Sequence, residues 1–448
     1  MTRKKLILVV IDGLTPSMLE GALERGSAPV LGALAEQGTY GRAVSVFPSL
    51  TPVCLSSIAT GAYPDVHEIP HLVWWHRGDR RLVEYGSSFS AVRAAGIART
   101  LRDTLVGLNA DHLGARAVTL FEALADAGLQ TATVNFIAYR GRTRHRASVP
   151  FLGDALGPER FFFYNLFESG RTGAPLSWRN RAAGTIDAYA SAVGRWLVTR
   201  DGFDFLLFYL SDYDYASHAH GPDTAHDALA RCDDAVGALV RAAGGLDPFL
   251  ERYAVVVMSD HGQTAVSDVS DPRVPLRDVD GALVVASNRA AMAYALEGCR
   301  EDARALAARL EADPAVEVVL FREGPEAVAR RDGSELRFAL LAEGSFALSG
   351  DAAVLDHPDA LARSWTALAN PNAGDVLVSA APGWEFPDLG GGHHRGGGSH
   401  GSLTRGDSEV PMLTIGLDRC PSRIADVAPL VLEHFGVQAP PYALGRAA

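Results

Sequence analysis

The chain has 448 residues, 48% of them hydrophobic and 21% charged, with a formal net charge of −12. That length supports a large core and two or three domains, and the acidic balance excludes a broad basic footprint for a nucleic-acid polymer. Four scattered cysteines, Cys54, Cys232, Cys299 and Cys420, form no CxxC pair, which excludes a zinc ribbon or a disulfide framework and fits a reducing cytoplasm.

The opening "MTRKKLILVVIDG" holds an apolar run, Leu6–Ile11. It is too short for the core of a signal peptide and ends at Asp12, so it reads as a buried first strand. In "SVFPSLTPVCLSSIATG" (45–61), Ser45–Phe47 read as a strand end. From Pro52 the pattern turns helical, with Val53, Leu55, Ile58 and Ala59 on one face. Pro52 suits the first helical position, which makes Thr51 the N-cap. The competing reading makes Thr51 a nucleophile aimed by the positive end of the helix dipole. Further along, helical patterns at 119–128, 185–200 and 224–245 precede the apolar runs "TATVNFI" (131–137), "DFLLFYL" (204–210) and "YAVVVMS" (253–259). "PMLTIG" (411–416) and a last helical pattern at 423–436 follow. This alternation predicts a doubly wound, mostly parallel α/β sheet with helices on both faces, its strands buried on both sides. Residues 266–385 break the rhythm with "ALVVAS", "REDARALAARLEAD" and "VEVVLF". They are expected to form a smaller α/β subdomain inserted into a core of 1–265 and 386–448. No segment is long and apolar enough to span a membrane.

The chemistry-bearing residues follow the strands directly. Asp12 ends the first; "SDYDYASHAHGP", with Asp212, Asp214, His218 and His220, follows the third run; "SDHGQT", with Asp260 and His261, follows the fourth. In open α/β sheets, ligands bind at the carboxyl ends of the strands. Asp214 and His218 share a face if their stretch is helical. Adjacent Asp and His beyond a buried strand are poorly explained by packing, because buried carboxylates need a partner or a metal. "GGGHHRGGGSHGS" adds His400 among glycines, while His393 and His394 read as surface-loop residues. Asp12, Asp214, His218, Asp260, His261 and His400 make a mixed Asp/His set that suits two divalent ions, zinc foremost. Paired metals are a known device for phosphoryl transfer.

In this order, Asp12, "FPSLT", "DYASHAHGP", "SDHG" and "GSHG" resemble the alkaline phosphatase superfamily, and within it the type I phosphodiesterase/nucleotide pyrophosphatase family. The FPxxT motif matches Phe47–Thr51, the ATG…P…H continuation matches 58–69, and D-x-x-x-H-x-x-G-P matches Asp214, His218, Gly221 and Pro222. The resemblance implies one metal held by Asp214, His218 and His400, another by Asp12, Asp260 and His261, and Thr51 at both. It implies two in-line steps through a phosphothreonine at Thr51, and a small phosphorylated substrate such as a nucleotide. Two positions depart from the family pattern. Pro52 stands where a backbone N–H helps hold a phosphate oxygen, and Leu72 where an asparagine does the same. The leading expectation is a metal-dependent phosphodiesterase or nucleotide pyrophosphatase. The alternatives are a phosphomonoesterase or phosphonate hydrolase of the same superfamily, or a non-catalytic metal- or anion-binding member. The sulfatase motif C-x-P-x-R is absent around Thr51.

Substrate contacts are expected from "HLVWWHRGDRRLVEYG" (71–86), where His71, Trp75, His76 and Arg77 combine aromatics with cations. A packed surface hairpin accounts for the same residues. "YRGRTRHRA" (139–147) is a basic cluster that either rims an anionic pocket or is a solvated loop.

Overall fold

The computed structural model describes residues 3–148, 152–170 and 185–443. At its centre is an eight-stranded sheet in the order Thr39–Val44, Glu409–Ile415, Tyr253–Met258, Lys5–Ile11, Phe205–Leu210, Thr131–Val134, Arg160–Phe163, Phe167–Glu168. The five strands from Tyr253–Met258 to Arg160–Phe163 pair in parallel. Their near-continuous apolar sequence follows from burial on both faces. Leu6, Leu8 and Val10 enter one core cluster, whereas Ile7, Val9 and Ile11 enter the other. Helices Thr51–Thr60, Leu120–Asp126 and Val427–Phe435 cover the first face; Pro16–Glu24, Thr185–Thr199 and His226–Ala242 cover the second. The doubly wound α/β architecture expected from the alternation is therefore present.

One strand differs from expectation. "PMLTIG" belongs to Glu409–Ile415, which runs antiparallel to both Tyr253–Met258 and Thr39–Val44. The chain enters this strand at the carboxyl edge of the parallel strands, where Asp407 and Ser408 accept the N–H groups of Gly262 and Ser45. With no crossover helix before it, the strand can only run back through the sheet. An apolar run carries no information about direction.

A second sheet lies within residues 282–380. Its seven strands, all antiparallel to their neighbours, are ordered Ala282–Ser287, Ala290–Ala295, Val376–Ala380, Val316–Glu323, Glu326–Arg331, Ser334–Leu340, Phe346–Gly350. Helix Ala303–Glu311 packs Leu306 and Leu310 onto one face with Val319 and Phe321. Met292, Tyr294, Leu320 and Leu377 instead join the same core cluster as Leu6, Phe47 and Leu50 of the main body. Among the described residues, no helix is long and apolar enough to cross a membrane.

The register fixes where the site forms. Val10 pairs with both Tyr209 and Met258, so the residues following these three strands emerge together at one edge.

Candidate metal centre and nucleophile

Asp12 follows Lys5–Ile11 at once, Asp260 and His261 follow Tyr253–Met258 after one serine, and Phe205–Leu210 leads into helix Asp212–His220. That helix puts Asp214 and His218 one turn apart on one face, with His218 Nε2 3.3 Å from Asp214 Oδ2. His400 arrives on the loop after Gly398–Ser399. The ligand atoms of Asp12, Asp260 and His261 lie within 4.8 Å of one another, as do those of Asp214, His261 and His400. His261 is thus common to both groups: its Nε2 is 3.3 Å from Asp12 Oδ1 and 3.4 Å from Asp260 Oδ2, and its ring stacks on His400 at 3.6 Å. The five members of these two groups are all buried.

Thr51 takes a different local role from the one its capping propensity suggests. The helix begins at Thr51 itself, with Leu50 as the N-cap and Pro52 in the first turn, and no side chain caps it. The Thr51 hydroxyl is 3.1 Å from His261 Nε2 instead. Its partner belongs to the site and not to the helix.

The three imidazoles are held in one tautomer. Nδ1 lies 2.7 Å from the Gly398 carbonyl in His218, 3.0 Å from that of Gly262 in His261, and 2.7 Å from that of Ser49 in His400. Each Nδ1 therefore carries a proton as donor, and each Nε2 that lacks one turns its lone pair inward. The lone pairs meet carboxylate oxygens that are also electron-rich. A proton on His218 reconciles part of this. Although burial opposes both shifts, Asp214 raises the imidazole, and His218, with His400 and His261, holds the Asp214 carboxyl well below its usual range. The Tyr209 hydroxyl at Asp12 and the His261 ring at Asp260 lower these acids without offsetting burial. Burial first, and neighbouring carboxylates after it, push both acids up. Asp12 Oδ1 and Asp260 Oδ2 are buried without any hydrogen-bond partner. A dry cluster of like charges with orphaned oxygens and inward lone pairs fits a divalent cation, and its oxygen and nitrogen donors suit one.

Supporting residues lock this set. Tyr209 donates its hydroxyl to Asp12 Oδ2, and Gln263 joins Asp214 Oδ1 to Ser217. Gly13, at φ 71, has no room for a side chain: a Cβ there would lie 2.7 Å from Asp214 Oδ1. His394 is not a detached loop residue. Its ring stacks on His218 at 4.0 Å, and its Nδ1 lies 2.7 Å from buried Glu385, which also accepts the Ser399 hydroxyl. Asn288 places its Nδ2 2.9 Å from His400 Nε2. None of Tyr209, Gln263, Asn288, Glu385 and His394 stands out in the sequence as a site residue.

The residues expected to contact substrate make other contacts in the fold. His71 is buried and its Nδ1 accepts the Val73 N–H. Trp75 and His76 belong to the hairpin of Val73–His76 with Arg81–Glu84. The Trp75 N–H donates to the Tyr294 hydroxyl, and His76 Nδ1 accepts the Asp79 N–H. Arg77 lies over the Tyr294 ring and pairs with Asp375 at 3.2 Å. None of the four makes a hydrogen bond, ion pair or ring contact with Thr51 or the candidate ligands. In the basic cluster, Arg140 and Arg142 pair with Glu122, and Arg144 with Asp154.

The carboxyl edge of a parallel sheet thus gathers carboxylates, imidazoles and a helix-borne threonine. Solved structures of the alkaline phosphatase superfamily share this fold. A phosphonoacetate hydrolase from Sinorhizobium meliloti 1021, in complex with phosphonoformate, superposes with TM-score 0.65 at 22% identity over 96% of each chain. Murine ectonucleotide pyrophosphatase/phosphodiesterase 5 superposes with TM-score 0.64 at 14% identity, over 98% of this chain and 96% of that one. An inactive variant of the murine protein is in complex with AMP. The model of the type I phosphodiesterase/nucleotide pyrophosphatase family matches residues 6–403, and the chain belongs to that family.

Proposed function

We propose that the protein is a two-metal phosphoester hydrolase that cleaves phosphodiester or pyrophosphate bonds of a small phosphorylated substrate through a phosphothreonine at Thr51. The observation that carries this reading is the placement of Thr51 Oγ1 against His261 Nε2, where the two candidate ligand groups share a residue. A threonine serving only as a helix cap would have no reason to be there. We assign Asp12, Asp260 and His261 to one ion and Asp214, His218 and His400 to the other, with zinc the metal that this donor set suits best. Bound cations would lower the pKa of the hydroxyl and neutralise charge on the phosphoryl oxygens.

The chain's own part is nucleophile, orientation and exclusion of water. Thr51 sits in the first turn of its helix, where the dipole favours developing negative charge. Its oxygen attacks phosphorus, the bond to the leaving oxygen breaks in line, and the alcohol or nucleotide departs with the electron pair and takes up a proton. Water then cleaves the phosphothreonine, releasing phosphate product and restoring the hydroxyl. Gly398, Gly262 and Ser49 hold the three imidazoles in a single orientation throughout. The four thiols, all unpaired, support a cytoplasmic location.

The test is turnover of a nitrophenyl phosphodiester, a nitrophenyl phosphomonoester and a phosphonate by the zinc-loaded protein, each beside Thr51→Ala. Fastest diester cleavage that vanishes in the variant is the expected result. Thr51-dependent preference for the monoester or phosphonate would move the substrate class to the alternative. Turnover that survives Thr51→Ala would remove the threonine from the mechanism.

A further inference from the structure

The turn between strands Ala282–Ser287 and Ala290–Ala295 reaches from the second sheet to His400. Asn288 occupies it at φ 56 and is buried. Its carboxamide has a defined orientation. Oδ1 accepts the Ser287 hydroxyl at 3.2 Å, so Nδ2 is the atom 2.9 Å from His400 Nε2. That nitrogen carries no proton, because the His400 Nδ1–H is directed at the Ser49 carbonyl. The turn is fastened on both sides. The Arg289 N–H donates to the His400 carbonyl and the Phe386 N–H to the Asn288 carbonyl. The buried Arg289 guanidinium pairs with Asp407 and donates to the carbonyls of Trp384 and Ala381. Asparagine is one of the few non-glycine residues that adopt the left-handed region readily, so the turn's backbone is open to it. Here the fixed group is a polar amide aimed into the site.

We propose that Asn288 is a catalytic residue whose carboxamide N–H donates to a non-bridging oxygen of the phosphoryl group as Thr51 attacks. The assignment rests on the hydrolase reading above and deepens it. A cation held by His400 would take the Nε2 lone pair, and the amide would then lose its acceptor. An unpartnered buried donor is costly, and an anionic phosphoryl oxygen answers it. His400 stacks on His261, whose Nε2 faces Thr51 Oγ1. The amide and the attacking oxygen thus flank one pair of stacked rings. Pro52, next to Thr51, has no N–H to give, so donors must come from side chains. An anchored donor aimed at developing charge is the arrangement that lowers a barrier most.

The test compares the zinc-loaded full chain with Asn288→Gly and Asn288→Asp, both of which accept a positive φ. Three quantities are measured: zinc affinity by chelator competition, orthovanadate affinity, and kcat and KM for a nitrophenyl ester that the wild type hydrolyses. The expected result in both variants is a loss of about 10²–10³ in kcat, as for removal of one oxyanion donor. Vanadate affinity falls with it, while KM stays nearly constant. Asn288→Gly, which decides the matter, holds zinc as tightly as the wild type. Unchanged vanadate affinity in Asn288→Gly would overturn the proposal. So would a fall in zinc affinity that accounts for all of the vanadate loss, because Asn288 would then only brace His400. Failure of the wild type to bind vanadate or to turn over any ester would instead refute the hydrolase reading itself.

Discussion

Asp12 has two different oxygens. Oδ2 accepts the Tyr209 hydroxyl, whereas Oδ1 has no hydrogen-bond partner and faces His261 Nε2 at 3.3 Å. Tyr209 therefore orients the carboxylate so that its free oxygen points into the centre. Groups that orient a ligand in this way typically contribute about 10–100-fold in metal affinity. Tyr209→Phe keeps the ring, which packs edge-on against Phe136 at 6.0 Å, and removes only the hydroxyl. We expect chelator competition to show one zinc weakened by about that factor, with the other, held on the Asp214 side, unchanged. Unaltered affinity at both positions would reduce Tyr209 to a packing residue. Asp12, Asp260 and His261 were legible in the sequence because each comes directly after an apolar run, so chain order alone sends them to one edge. Asn288 and His400 are 112 positions apart, and only the turn of a second sheet unites them. His394 looked like a loop residue because ring-on-ring contact leaves no local pattern. At Thr51 capping and nucleophilic readings call for the same residue type at the same point, and only His261 separates them.

At the scale of elements, two helix starts are tied together behind the site. Asp187 Oδ1 accepts the N–H groups of Ser211 and Asp212 at the start of helix Asp212–His220, and Asp212 Oδ2 accepts the Asp187 N–H in return. Burial first, and the Asp212 charge second, push the Asp187 carboxyl up to about 7. The folded protein therefore holds a proton that the unfolded chain releases near the ordinary carboxylate value. Its stabilising effect is complete below about pH 4 and is lost as pH rises toward 7, with a slope of up to about 1.4 kcal/mol per pH unit from this group. Asp187→Asn retains an acceptor oxygen for the two N–H groups and does not titrate. Urea midpoints measured from pH 4.5 to 7.5 should fall less steeply in Asp187→Asn than in the wild type. Parallel slopes would show that Asp187 is ionised across the whole range. Only half of this junction is legible in the sequence. The helical patterns and strands around it could be read from periodicity, but the two carboxylates facing each other could not, because the fold brings together residues 25 apart. The reversed strand Glu409–Ile415 was hidden for a related reason: direction is set by where the preceding loop ends.

At the scale of the whole molecule, the question is whether residues 266–385 form a separable subdomain. The core argues for one cooperative unit. Val285, Met292, Tyr294, Leu320 and Leu377 of the second sheet share a cluster with Leu6, Val10, Phe47 and Leu50 of the first. Arg363, buried on helix Ala360–Leu368, donates to the Val46 carbonyl and the Ser49 hydroxyl on one side and to Leu403 on the other. Ser49 in turn accepts the His400 Nδ1–H, so the second sheet's helix holds the loop that places both Thr51 and His400. Removing the guanidinium strands buried acceptors at a cost of about 1–3 kcal/mol. Unfolding in urea, followed by far-UV circular dichroism and by release of bound zinc, should give coincident single transitions in the wild type. Arg363→Met should move both midpoints down together, because the shared cluster couples the two sheets. A first transition that unfolds the second sheet while zinc stays bound would overturn this view. It would make residues 266–385 an independent module resting on a complete catalytic core, a result hard to reconcile with Asn288 and Arg363 reaching the site from that side.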